Sequence, residues 1–243
     1  VSRRARVLDT PSGRIAYTVA HRPRVTRRLH LELDADGGLV VVTPRDWPER
    51  HTRRLLNANA ARVERFVARA RERRLPPLTW TDGGRHLYRG EALTLRLTPR
   101  RQRGARLERD GDLLRVALSD PSPDAVRGAV TRWYAAQAKR RFRERLTALQ
   151  RRAAWARDRE LTLRLRRMRR TWGTCSSRGV VRLNTHLVKA PDLILDYVIA
   201  HELCHLREMN HGPRFYALQE RLWPEWRRHR RHLREHGARY VQE

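Results

Sequence analysis

The residues with the most chemistry in this chain are His201, Glu202 and His205, set as His-Glu-Leu-Cys-His, with His211 six positions further on. Side chains four apart on a helix share one face, so His201 and His205 can grip one zinc ion. Glu202 lies beside them, placed to work on a water held there. Three protein nitrogens would leave a fourth coordination position open, the pattern of a catalytic rather than a structural zinc site. The chemistry this predicts is hydrolysis, with zinc acidifying the water and Glu202 carrying its proton.

That geometry makes demands on the elements around it. Six residues turn a helix through about 600°, so His211 would face away if the helix ran on. The helix must stop first. Asn210 tolerates the left-handed conformation that ends helices, and Pro213 after Gly212 suits the first turn of a new one. Upstream, Ala190-Pro191-Asp192 reads as a helix start, and the apolar run Leu193 to Ile199, with Tyr197 in it, drives the helix into a core. Before it, the stretch from Trp172 to Asn184 alternates around Ser177-Arg178-Gly179 as a hairpin.

The pattern W-G-x-C-S-S-x-G-x-x-x-L-N at 172–184, the HELCHL of 201–206 and the N-H-G-P-x-F-Y of 210–216 together resemble the YgjP-like metallopeptidase family. That family lies within the zincin proteases and is similar in style to the SprT-like proteases. The specific resemblance spans about residues 170 to 226. A looser one covers Arg24 to Pro44 and the Leu87-Tyr88-Arg89-Gly90-Glu91 turn. The resemblance implies a zinc-dependent peptidase with His201, His205 and His211 as ligands and Glu202 as catalytic acid/base. Metzincins, which share the ligand spacing, carry glycine where this chain has Glu208. Glu208 and Glu220 stand as alternative third ligands, since some zincins use a carboxylate.

Other side chains are candidates for supporting roles. Tyr216 or Arg214 could donate to the oxyanion formed when water attacks a carbonyl. The strand edge at Thr174, Cys175 and Ser176 could pair with an extended substrate by β-augmentation, or could simply be a hairpin whose Gly173 and Gly179 serve turns. Cys204 as a fourth ligand would close the site, but a small buried apolar role is expected of it. His186 could approach the cleft, though a polar surface or N-cap position suits it better. His229, His232 and His236 share a helix face and could bind metal, but the arginines around them would repel a cation. Trp223 and Trp226 could stack on bases, with core packing as the simpler role.

The 243 residues carry a formal charge of +29, and all but two of the 55 basic residues are arginine, the exceptions being Lys139 and Lys189. Codon bias accounts for arginine over lysine better than for the excess of bases over acids. A positive field of this size should draw polyanions, so nucleic acid is a candidate partner beside the peptide or protein substrate. Two other readings use the same residues: a metal-dependent hydrolase of nucleotide phosphoanhydrides, and a non-catalytic nucleic-acid-binding zinc protein. No Gly-rich phosphate loop supports the former. The N-terminal Val1-Ser2-Arg3-Arg4 does not resemble a signal peptide, and no apolar run reaches the length of a membrane span. Cys175 and Cys204 make no disulfide framework. The expectation is a cytoplasmic protein without membrane contact.

The fold class expected is α+β: a β-rich N-terminal part with one helix at 1–120, then a zincin-like part at 121–243 with a small sheet packed on the HExxH helix. Expected strands are 14–20, 29–33, 39–42, 85–88, 92–98, 113–118 and 161–165. Expected helices are 47–74 and 122–154. No repeat and no low-complexity linker is visible.

Overall fold

Strand alternation and helical spacing along the chain resolve into two compact units, residues 1–76 and 77–243. The computed structural model describes residues 5–22, 25, 27–34, 36–72, 75–168 and 170–243. Val1 to Arg4, Arg24 and Arg74, where some expected segments begin or end, lie outside the described residues.

In the first unit, β1 (Arg6–Thr10), β2 (Gly13–His21), β3 (His30–Leu33) and β4 (Leu39–Thr43) form one sheet in the order β1-β2-β4-β3. β1 and β2 are an antiparallel hairpin, β4 runs parallel to β2, and β3 pairs antiparallel with β4. The single helix expected from 47 to 74 is two: α1 (Glu49–Ala58) and α2 (Ala60–Glu72). The break falls at Asn59, whose amide side chain turns back to the Leu55 carbonyl and competes with the helix ladder. Leu8, Leu39, Val41, Leu56, Val63 and Val67 are buried in this unit's core.

The second unit opens with β5 (Arg85–Tyr88), β6 (Glu91–Pro99), β7 (Arg106–Asp110) and β8 (Leu113–Leu118), in the order β5-β6-β8-β7. Order and pairing senses repeat those of the first sheet. The sequence does not display this repetition, because strand order depends on pairing, not on residue identity. The edge strand β7, which exposes four of its five residues, offers no apolar alternation to read, and β1 has only Leu8 buried.

α3 (Pro123–Arg152) follows, with Pro123 at its first turn and Val126, Val130, Tyr134, Phe142, Leu146 and Leu149 buried along one side. β9 (Thr162–Arg166), β10 (Gly173–Cys175) and β11 (Val180–Asn184) make a three-stranded sheet ordered β10-β11-β9, with β10 at the edge. A 3-10 turn, Thr185–Lys189, leads into α4 (Asp192–Cys204), then α5 (Pro213–Leu222) and α6 (Trp226–Tyr240). The α+β class holds. The boundary expected at 120/121 falls inside the second unit: Leu93, Leu95, Leu114 and Val116 share one core with Phe142, Ile199 and Leu203. The strands ahead of Pro121 need the apolar side of α3 to cover their buried face.

Two devices fix α4. Arg141 and Arg145, one turn apart on α3, pair with Asp192 and Asp196, one turn apart on α4, and the Asp196 side chain is fully buried. The β5–β6 turn supplies the second. Arg89 and Gly90 take positive φ, 53° and 86°, and their N–H groups donate to the carbonyls of Val188 (3.0 Å) and Lys189 (2.9 Å). A Cβ on Gly90 would meet Pro191 at 2.7 Å, and the Arg89 guanidinium reaches Asp192 at 2.6 Å. The Leu87-Tyr88-Arg89-Gly90-Glu91 motif is thus a clamp on the start of α4.

Candidate metal centre

α4 is apolar on nearly all sides, so it sits deep in the core, with its C-terminal half, from Tyr197 on, reaching a cleft. It ends at Cys204, with His205 as its right-handed C-cap (φ −64°). The N–H groups of Leu206, Arg207 and Glu208 turn back onto the carbonyls of Leu203 and Cys204. Trp155 Nε1 donates to the Leu203 carbonyl at 2.8 Å, and Arg159 to Leu206 at 2.9 Å, satisfying groups a helix end leaves open. The left-handed residue expected at Asn210 is not found. Arg89 alone has positive φ among the described non-glycine residues, and the chain turns earlier, at 205–208. Pro213 starts α5 as expected, which leaves His211 facing back toward α4.

The donor atoms of His201, His205 and His211 lie within 4.8 Å of one another and could hold a metal. His211 Nε2 stands 3.0 Å from His201 Nε2. Hydrogen bonds set the tautomers. His205 Nδ1 is 3.1 Å from the Glu208 carbonyl, which can only accept, so Nδ1 carries the proton and Nε2 keeps a lone pair. His201 Nδ1 faces the Gln219 Oε1 at 3.2 Å, with the same consequence. Burial, then the neighbouring imidazoles His205 and His211, push His201 down to about 4, and burial lowers His205 too. Both rings are therefore neutral at pH 7, the form that binds a cation.

Phe215 on α5, fully buried, lies under all three rings at centroid distances of 4.9, 4.7 and 4.6 Å. One turn on, Gln219 is fully buried and carries the His201 bond. Glu202 is 4% exposed, and its Oε2 finds no protein partner. Burial raises its carboxyl to about 8. Its Oε1 lies against Gly173 of β10, where a Cβ would come within 2.5 Å. Gly173 is a strand residue whose missing side chain houses the carboxylate, not a turn glycine; Gly179, with φ 80°, does serve the turn. A buried carboxyl group without a protein partner, beside three converging imidazoles, suits a divalent cation with an attached water.

The cleft, about 470 Å³, is lined by the three histidines, Glu202, the 171–175 segment and Tyr197 among others. Asn184, almost fully buried, shapes its rim: the side chain donates to the carbonyls of Met168 and Thr171 and accepts from the His186 N–H. The YgjP-like metallopeptidase domain profile matches residues 27–236, most of the chain. The chain belongs to the YgjP-like metallopeptidase family. A solved structure, the metallopeptidase zymogen of Pyrococcus abyssi abylysin, is 20% identical over 37% of this chain and 93% of its own, with a TM-score of 0.33. That likeness is too slight to carry fold or function. No curated protein matches the chain.

Among the supporting candidates in this YgjP-like chain, Thr174 and Cys175 line the cleft, whereas Ser176 turns its hydroxyl to the Val180 N–H at 3.1 Å. Tyr216 flanks His211 but stacks on Trp226 at 5.1 Å, and neither it nor the exposed Arg214 lines the cleft. Glu220 accepts from Trp226 Nε1 and Arg227, and Glu208 offers the site its backbone carbonyl. Cys204 is buried, its thiol pushed up to about 12 by burial and by Glu202; both cysteines are free. His186 is neither N-cap nor cleft residue: Asn184 caps the 3-10 turn, and His186 bonds Glu243. Trp223 and Trp226 are buried in the core. Tyr197, Phe215 and Gln219 were missed. The first was legible only as an apolar helix position, and the others needed the path of α5. No described helix is long and apolar enough to cross a membrane.

Proposed function

We propose that the protein is a zinc-dependent peptidase in which His201, His205 and His211 hold the ion and Glu202 is the acid/base. The observation that carries this reading is the unpartnered Oε2 of a buried Glu202 beside three converging imidazoles. Zinc suits a site of three imidazole nitrogens, and when bound it acidifies a water and polarises a carbonyl. Glu202 takes a proton from the attacking water, then delivers it to the amide nitrogen as the C–N bond breaks, leaving a carboxylate and an amine. Gly173 lets the carboxylate sit close under β10. The outer edge of β10, with Thr174 and Cys175 at the cleft, is placed to pair with an extended peptide backbone.

The test is Glu202→Gln. Its zinc content, by elemental analysis, should equal that of the wild type, while cleavage of an unstructured peptide library falls at least ~100-fold. Undiminished cleavage would refute the assignment of Glu202.

A further inference from the structure

A second cavity of about 600 Å³ lies elsewhere in the second unit, between α3, the 3-10 turn and the Gln242–Glu243 segment. Its size is in the ~300–1,000 Å³ range of small-ligand sites. Trp80 and Tyr134 give it an aromatic wall, and Arg127, Arg132, Arg167 and Lys189 give it cations. Arg127 is paired with Asp124. Lys189, one of two lysines in an arginine-rich chain, is 6% exposed. Its ammonium sits 5.3 Å from the Tyr134 ring centre and donates to the Gln242 carbonyl at 2.6 Å. A buried ammonium is costly without a countercharge. Burial pulls this one down to about 8. The nearby carboxylate, that of Glu243, is held instead by Arg167 and by His186 Nε2, the latter at 2.9 Å.

We infer that this cavity is a binding site for a small carboxylate ligand, and that the Glu243 side chain occupies it as a stand-in. Three features point the same way. The cationic donors come from separate segments, α3, the chain at Arg167 just after β9 and the 3-10 turn, and line one space. The group seated there is a carboxylate. Among the described residues, the only other acid lining it, Asp124, is already paired with Arg127. A flat aromatic wall beside paired cations suits a compact organic acid better than a lone inorganic ion.

The test uses the full chain and succinate, with neutral succinamide as control, by calorimetry at ~0.15 M salt, where diffuse charge attraction is screened. Glu243 competes with any added acid, so the wild type should bind more weakly by the fraction of time the site is blocked. Glu243→Ala should bind succinate at least ~10-fold more tightly than the wild type, and succinamide not at all. Adding Arg167→Ala, at a half-exposed position that tolerates change, should abolish the gain, as should Lys189→Met, which keeps the stem and removes the charge. Equal affinity of Glu243→Ala and wild type overturns the inference. So does a gain that survives Arg167→Ala, which would mean general attraction to a basic surface.

Discussion

Two sets of three histidines lie in the second unit, and only one has free nitrogens facing a common point. His201, His205 and His211 use Nδ1 for internal bonds in at least two cases and turn their remaining nitrogens together. In the α6 set, His229 Nδ1 instead accepts from Trp223 Nε1 at 2.9 Å, and His232 Nε2 bonds the Tyr240 hydroxyl at 2.7 Å. The His229 lone pair goes to a structural donor, His232 Nε2 is engaged by a hydroxyl, and no metal-competent group forms there among the described residues. Helical spacing is equal evidence in both. The difference lies in what the other face of each ring touches, and in whether a second segment crosses over to complete the group.

The sharpest way to break this contrast is His205→Ala against His232→Ala. The first should strip zinc from the purified protein, a loss well beyond the ~10–100-fold of an outer-shell change, while the second should leave stoichiometric metal by elemental analysis. Gly173→Ala comes next. It pushes against Glu202 without touching a ligand, and a displacement near 1 Å should lower kcat about 100-fold with metal retained. Gln219→Leu frees the His201 Nδ1 and should weaken zinc affinity ~10–100-fold in a chelator competition, whereas Trp223→Phe, which frees His229 in the same sense, should not alter it. Arg145→Ala strands the buried Asp196 and should cost about 3 kcal/mol in urea unfolding.

The smallest effect concerns pH. Burial holds His229 below its ordinary value, so the unfolded chain takes up this proton at higher pH than the folded chain does. Its contribution to stability is complete above about 6.5 and drains away as the pH falls toward the folded value. His229→Asn keeps an acceptor for Trp223 and cannot titrate. Its Tm should therefore fall less steeply than the wild type between pH 7 and 5.

The parts of this molecule that depend on local spacing were readable in advance. The helix around His201 and His205, the stop before His211, Pro213 and the hairpin after Trp172 follow from periodicity and turn chemistry. Parts decided by distant contacts were not. The glycine that houses Glu202 looks like any turn glycine until β10 is laid over α4. Tyr216 seems poised for catalysis from its position after His211, yet Trp226 claims its ring. The break at Asn59 was lost in a run of helix-favouring residues, because one amide side chain decides it. The 77–120 strands seemed to belong with those before them, since both groups share composition; their burial partner, α3, lies later in the chain.

The clamp made by Arg89 and Gly90 also governs what can be excised. Residues 170–226 hold every proposed zinc contact, yet Asp192 is gripped by Arg89 and Arg141, from two earlier segments. Expressed as a minimal peptide, that stretch would surrender the hydrogen bonds that seat the 188–190 entrance, and its apolar helix would meet water or aggregate. During synthesis, the hairpin and α3 leave the ribosome first, so the scaffold waits for the helix that bears the histidines. Any transplant of this centre into another protein must carry the clamp with it.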